Sequence, residues 1–474
     1  MRLATALMSG ILLTTLAGAA EKPNFLLVLL DDSGWTDFGC YGSRVQTPNI
    51  DRFVSEGMRF TDCHSAAPNC SPSRAGLLTG RTPSRVGIYS YLPPNHVMHL
   101  RDEEVTAAEL LQSAGYRTGH FGKWHLSRLG SDQPQPADQG FEYSLGTDNN
   151  ASPSHLNPKN FVRNGKPVGE MLGYSCQIVV DEAVGWLDSI EAEKGEEPFF
   201  VCVWFHEPHT PIASPPELVS KYQQLYPELN AKEAAYFANI ENVDRAVGKL
   251  LQAVENRGLA KETVVFLTSD NGPLNGFSSV GLRGKKSNVW EGGHRVPGAF
   301  RWPGKIDAGS ECSVPISGVD YLPTVCDLAG IKTPEQVALD GVSLVPLLCD
   351  GADSLRREKP LYWFFYRLNP SLAIRDGRWA LIADTNDAGR PKSHGMVRDD
   401  MAKIKSSKPV EFLLFDLDQE LSQRRDVAKE HPRVFDRLRA DAIRMHRDVV
   451  ESGYQWDIPA DYGVKNSRRI WDSY

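Results

Sequence analysis

With 474 residues, 41% hydrophobic and 24% charged, the chain has the composition of an ordinary globular protein, enough for a large core and a second domain and incompatible with a disordered or fibrous chain. A formal net charge of −8 leaves no basic footprint for nucleic acid, so an anionic ligand would need a local positive pocket. Eight scattered cysteines argue against both a zinc cluster and a disulfide scaffold.

Residues 1–20 hold one basic residue, Arg2, an apolar run from Ala4 to Leu16, and small residues Ala17 to Ala20 before charged Glu21 and Lys22. This predicts a secretory signal peptide, too short to anchor in a bilayer. No later stretch approaches a membrane span, so the mature protein is expected to be soluble and exported, to a periplasm or outside the cell. Asn24 to Leu30 is a nearly unbroken apolar run, as in a central strand buried on both faces. It ends in Asp31 and Asp32, two adjacent carboxylates that repel unless a cation lies between them.

Cys70-Ser71-Pro72-Ser73-Arg74 opens a short apolar helix that Gly80 closes. Pro72 suits the first turn and Gly80 the stop, which puts Cys70 and Arg74 at the positive end of a helix, an anion site. Val105 to Ala114 repeats apolar residues at helical spacing. In Tyr116 to His125, the alternation of Lys123 and His125 around Trp124 places both polar side chains on one face if the segment is extended. Residues 130–169, rich in Asn, Pro, Ser, Asp and Gly, read as an irregular insertion, which in a compact domain is often functional. A helix runs to about Leu187, a buried strand (Pro198 to Phe205) delivers His206-Glu207-Pro208-His209, and another (Thr263 to Thr268) delivers Ser269-Asp270-Asn271-Gly272. Apolar strands separated by helices, each ending in polar residues, predict a doubly wound α/β sheet. Beyond about residue 350 the character shifts to strand candidates at 361–366, 371–374, 379–382 and 411–416, then a helix near 432–448. The expected division is a catalytic domain over 21–350 and a smaller α+β domain over 351–474.

The run C-x-P-S-R followed by a short apolar helix and Thr79-Gly80-Arg81 resembles the signature of the formylglycine-dependent type I sulfatases. The strand ending in Asp31-Asp32, the Gly122-Lys123-Trp124-His125 run, the Ser269-Asp270-Asn271-Gly272 edge and the segment from Arg283 to Pro297 match in family order. The resemblance implies an alkaline-phosphatase-like fold: a mixed sheet sandwiched by helices, with an antiparallel sheet in the C-terminal α+β domain. It implies that a separate maturation enzyme oxidises Cys70 to formylglycine, and that Asp31, Asp32, Asp270 and Asn271, with residue 70, bind Ca²⁺, or less readily Mg²⁺. Arg74, Lys123 and Lys286 would hold the sulfate. The hydrated residue 70 would attack sulfur, Asp270 would take its proton, His209 and Lys286 would serve the leaving oxygen, and His125 would release sulfate. Lys285, where many relatives have Gly, competes with Lys286 for the catalytic place, and the spacing to Glu291 favours Lys286. His294 stands where relatives often have an apolar residue, and packing and function remain equally open for it. Val86-Gly87-Ile88-Tyr89 and Met98-His99-Leu100-Arg101 resemble a bacterial branch related to N-acetylgalactosamine-6-sulfatase and arylsulfatase A. That resemblance implies removal of sulfate from 4- or 6-sulfated galactose or N-acetylgalactosamine at a glycan end. Asn149, Asn150, His155 and Arg163 of the insertion, with Lys285, are the candidate sugar contacts. Alternatives are a phosphonate or phosphodiester hydrolase of the same fold and an unmatured protein that only binds sulfated glycans.

Overall fold

The computed structural model describes residues 22–193, 195, 197–274, 278, 281–367, 370–386, 396–460 and 462; the expected signal peptide lies outside them. The strands are β1 Asn24–Asp31, β2 Met58–Phe60, β3 Cys63–His64, β4 Arg117–Lys123, β5 Tyr143–Thr147, β6 Phe161–Arg163, β7 Lys166–Gly169, β8 Phe199–Pro208, β9 Thr263–Ser269, β10 Gly298–Arg301, β11 Ser310–Cys312, β12 Ile316–Ser317, β13 Leu361–Phe365, β14 Ser371–Asp376, β15 Trp379–Thr385 and β16 Pro409–Asp416. The helices are α1 Pro48–Ser55, α2 Cys70–Thr79, α3 Ala107–Ser113, α4 Ser175–Ala192, α5 Pro216–Leu225, α6 Ala231–Asn256, α7 Glu291–His294, α8 Tyr321–Leu328, α9 Val345–Leu348, α10 Arg398–Ser406 and α11 Pro432–Ser452.

Ten strands form the main sheet in the order β11-β2-β10-β9-β1-β8-β4-β5-β6-β7. Its centre, β9-β1-β8-β4-β5, is parallel, and antiparallel pairs flank it at β9-β10 and β5-β6. The period of two along each central strand sorts side chains into two layers. Leu26, Val28, Leu30, Val201, Val203 and Val265 face the layer that holds α1, α4 and α6. Phe25, Leu27, Leu29, Phe200, Trp204 and Phe266 face α2, α3 and α8 in an apolar cluster that continues to Phe364, Leu372 and Ile374 of the second sheet. That second sheet is antiparallel throughout, β13-β14-β15-β16. The expected division at 350 falls in the connection between α9 and β13.

Two expectations are corrected. Residues 130–169 are not irregular throughout: they contain β5, β6 and β7, which extend the main sheet. These edge strands are short and carry few apolar residues, which hid them. The turn between β6 and β7 is Asn164-Gly165 with φ of 46° and 77°, the Asn-Gly pairing that suits a two-residue hairpin. Nor do Lys123 and His125 share one extended face. β4 stops at Lys123, and His125 takes a left-handed conformation, φ 55°.

Candidate active site

Parallel strands bring their carboxyl ends to one edge, where open α/β sheets place their sites. β1 delivers Asp31 and, one residue on, Asp32, whose left-handed backbone (φ 66°) ends the strand abruptly. β4 delivers Lys123, β8 leads to His209, and Asp270 follows β9. The Asp32 N–H donates to Asp270 Oδ1 at 3.2 Å and Asn271 Nδ2 donates to Asp32 Oδ1 at 2.7 Å, so the carboxylates of neighbouring strand ends are locked together.

Cys70 is the first residue of α2, after the extended Asn69, and is only 3% exposed. Its Sγ lies within 4.8 Å of a carboxylate oxygen of Asp31 and one of Asp270. Burial pushes the Cys70 thiol up, against the pull of Lys123 and Lys286. Arg74, one turn along α2, donates from Nε to Asp270 Oδ2 at 2.9 Å and from Nη1 to the Lys123 carbonyl at 2.6 Å. Lys123 Nζ is 2.5 Å from Asp31 Oδ2, and Lys286 Nζ is 2.5 Å from Asp32 Oδ1. Lys285 is exposed to solvent, which separates the two adjacent lysines by position.

Three carboxylates and three basic groups thus share one dry site. Burial drives Asp270 up to about 7, with Asp31 adding to it. Burial works against the Asp31 carboxylate as well, but Lys123, His209 and Arg74 hold it well below the usual range. Burial likewise opposes the Lys286 ammonium, and Asp32 outweighs it. Asp31 Oδ1, Asp32 Oδ2 and Asn271 Oδ1 are buried without hydrogen-bond partners. Converging orphan oxygens are costly unless something satisfies them, and an all-oxygen donor set fits a hard divalent cation.

Two histidines border this cluster. His125 Nε2 is 3.0 Å from the Leu92 carbonyl, which fixes the proton on Nε2 and leaves Nδ1, without a partner, as a proton acceptor. Burial, with Lys123 beside it, holds His125 well below its ordinary value. His209 Nε2 stands 3.6 Å from Asp32 Oδ2, and burial brings His209 down to about 4 while Asp32 pulls the other way.

The expected sugar contacts separate. The Asn150 amide nitrogen is 2.7 Å from both His209 Nδ1 and the Thr210 carbonyl, so Asn150 sits beside His209. The half-buried Asn149 accepts from Thr147 Oγ1 on its backbone carbonyl at 2.6 Å. His155 is fully buried, its ring 6.0 Å from that of His206 and its Nδ1 3.8 Å from Glu207 Oε1. Neither of its ring nitrogens has a hydrogen-bond partner, and its carbonyl accepts from Ser175 N at the start of α4. Arg163 makes a bidentate pair with Glu182 of α4, at 2.6 and 2.8 Å, and does not join the cluster. Sequence reasoning assigned nothing to His206 and Glu207. His206 Nε2 donates to Thr147 Oγ1 at 2.7 Å, and Glu207 accepts from Cys176 N at 3.0 Å, tying β8 to β5 and α4. Their position at the end of a wholly apolar strand was the available signal.

A family model described as Sulfatase matches residues 23–331, and one described as N-sulphoglucosamine sulphohydrolase, C-terminal, matches residues 284–426. The chain is 34% identical over 398 residues to N-acetylgalactosamine-6-sulfatase of Rattus norvegicus, covering 77% of this chain and 72% of the relative. It is 34% identical over 404 residues to arylsulfatase A of Homo sapiens, covering 78% and 77%. Among solved structures, Ps i-CgsB in complex with k-i-k-neocarrahexaose is similar with a TM-score of 0.79 at 28% identity, covering 94% of this chain and 96% of that one. With a family model spanning most of its length and relatives matched along more than two thirds of theirs, the chain belongs to the type I sulfatases of the alkaline phosphatase superfamily and is a sulfuric ester hydrolase.

Proposed function

We propose that the enzyme removes sulfate from 4- or 6-sulfated galactose or N-acetylgalactosamine at the end of a glycan chain, with Cys70 oxidised to formylglycine and Ca²⁺ as the resident cation. The observation that carries this reading is the gathering of Asp31 and Asp270 at Cys70, with Asp32 bonded to Asp270 and Asn271 bonded to Asp32, and with Arg74, Lys123 and Lys286 paired to these carboxylates. The similarity to N-acetylgalactosamine-6-sulfatase, and to a structure determined with a neocarrahexaose, supports a carbohydrate substrate.

Asp31, Asp32, Asp270 and Asn271 would hold the cation, which supplies charge compensation at the sulfate oxygens. Oxidised Cys70 would supply a hydrated aldehyde as nucleophile, splitting one hard displacement into two easier ones. Arg74 is fixed by Asp270 and by the Lys123 carbonyl, so its charge is oriented before substrate arrives, the condition under which electrostatic stabilisation is largest. Asp270 is the carboxylate beside residue 70 suited to take its proton. His209 Nε2 faces the side where Asp32 and Lys286 meet and serves the leaving sugar oxygen. The free Nδ1 of neutral His125 accepts the second hydroxyl proton when sulfate leaves.

Mass spectrometry of the peptide containing Cys70, metal analysis of the purified protein, and kcat/KM on paired nitrophenyl sulfate and phosphate esters test the chemistry. Formylglycine at position 70, one bound calcium and a preference for the sulfate ester are expected. Unmodified Cys70 in the active preparation, or a preference for the phosphate ester, would overturn it. Sulfated glucosamine or uronic acid turned over ahead of sulfated galactose would overturn the substrate assignment alone.

A further inference from the structure

Beneath the two loops that frame the site lies a buried pair of histidines that the chemistry above does not use. His64 on β3 and His294 on α7 are each 1% exposed, and their Nδ1 atoms are 2.9 Å apart. His64 Nε2 is 2.6 Å from Asp62 Oδ1, which fixes its proton there and makes Nδ1 an acceptor. His294, which burial holds neutral by bringing it down to about 3, therefore has one N–H to share between two acceptors, His64 Nδ1 and, 3.1 Å from its Nε2, the Val289 carbonyl.

Those acceptors belong to different catalytic segments. His64 begins the stretch that ends at Cys70, and Val289 closes the one that carries Lys286. The Ser65 N–H donates to the His294 carbonyl at 2.8 Å and the Ser287 N–H to the Pro68 carbonyl at 2.7 Å, so the two segments run against each other. Trp363 of β13 covers the pair: its ring stacks on His294 at 4.1 Å and 9°, and its Nε1 donates to the Ser65 carbonyl at 2.8 Å.

With Glu291 nearby, the two rings form a set that could hold a metal, but the geometry is that of a hydrogen bond. Both Glu291 oxygens are already held, by Arg295 at 3.0 Å and Arg375 at 3.4 Å. Two ring nitrogens bound to one tetrahedral zinc would lie about 3.3 Å apart, farther than these.

We infer that His64 and His294, covered by Trp363, are positioning residues that hold the Cys70 segment and the Lys286 segment in register for sulfate transfer. The inference rests on the roles given above to residue 70 and Lys286. His294→Met leaves the His64 Nδ1 and the Val289 carbonyl unpaired, whereas replacing both rings leaves only the carbonyl, which removes part of the stability cost. Asp62 keeps Arg375 and Arg295 in either case. Stability and positioning can therefore be read separately.

The experiment compares wild type, His294→Met, His64→Phe/His294→Met and Trp363→Phe in the full-length matured enzyme, with kcat on nitrophenyl sulfate normalised to the formylglycine content of each. His294→Met is expected to lower Tm and to reduce kcat about tenfold, the factor of one hydrogen bond, with KM within about twofold. The double variant is expected to recover part of the lost Tm but not kcat. Trp363→Phe, which keeps the stack and loses the donor, is expected to lower kcat about threefold. Recovery of both Tm and kcat in the double variant would reduce the pair to packing and overturn the inference. So would unchanged kcat in Trp363→Phe together with His294→Met, or a second equivalent of metal lost with His294→Met. Lys286→Ala measured alongside keeps the two readings apart, since full activity there defeats the role of Lys286 and not the coupling of the segments.

Discussion

Burial pushes the Cys70 thiol up despite two nearby lysines, so at neutral pH it is protonated, and a protonated thiol is a poor nucleophile. Loss of the side chain should then cost chemistry and not structure: Cys70→Ala is expected to show no turnover with an unchanged circular dichroism spectrum, and activity near wild type would exclude residue 70 as the nucleophile. The adjacent lysines provide a sharper comparison. Lys286, on Asp32, is expected to cost on the order of 10²-fold in kcat when changed to Ala, and exposed Lys285 less than about threefold; steady-state kinetics of the two variants decide between them. Asn150→Ala should lower kcat less than about threefold in the same kinetics, because the Thr210 carbonyl, 2.6 Å from His209 Nδ1, still holds the ring. At this scale the sequence is most informative where side-chain chemistry is local. Asp31, Asp32, Arg74, Lys123, Asp270 and Lys286 stand in motifs, and the structure brings them together. His155 and Arg163 were chosen for residue type within a polar stretch, and type alone does not say which way a side chain points. The insertion folds into strands of the main sheet, where Arg163 pairs with Glu182 of α4 and His155 is enclosed with both ring nitrogens unpartnered.

β1, β8 and β9 read directly as buried runs and α2 by its Pro and Gly punctuation, while α10 and the short strands β5 to β7 carried too little periodicity, and the long α6 was not singled out. One element boundary has a backbone cause that can be tested. Gly122, just before Lys123, has φ of 111°, and a Cβ there would lie 1.8 Å from the Trp204 carbonyl oxygen. Only glycine lets β4 approach β8 so closely while turning Lys123 toward Asp31. Gly122→Ala is expected to destabilise the protein by more than about 3 kcal/mol or prevent folding, as read by the midpoint of chemical denaturation. A midpoint within error of wild type would show that the two strands can part without cost.

Across the whole molecule, the apolar cluster on one face of the main sheet runs without a break into the second sheet, and a polar layer reinforces the join. Arg375 of β14 reaches Asp62 at 2.5 Å and Glu291 at 3.4 Å and is 2% exposed. Removing it leaves Arg295 alone against two buried carboxylates, and the uncompensated buried charge costs about 3–5 kcal/mol. Arg375→Met should therefore lower the thermal midpoint of the entire chain in one transition; calorimetry that shows the second sheet melting alone would contradict a shared core.

All ten residues of α2 are buried, and that fixes an order of events in the life of the chain. The oxidising enzyme of the reading proposed above would itself be a folded protein and would have to bring the Cys70 thiol into its own cleft. Once α2 is enclosed between the main sheet and α8, no such enzyme reaches Cys70 without undoing much of the core. On the reading proposed above, conversion of Cys70 would then belong to the newly made chain, and folding would compete with it for time. Folded, unmodified protein given the oxidising enzyme should stay unconverted, whereas the denatured chain or a short peptide spanning Cys70 to Arg81 should react, with the mass of that peptide as the readout. On that reading, a cell that folds the chain faster than it oxidises it would accumulate well-folded molecules beyond repair.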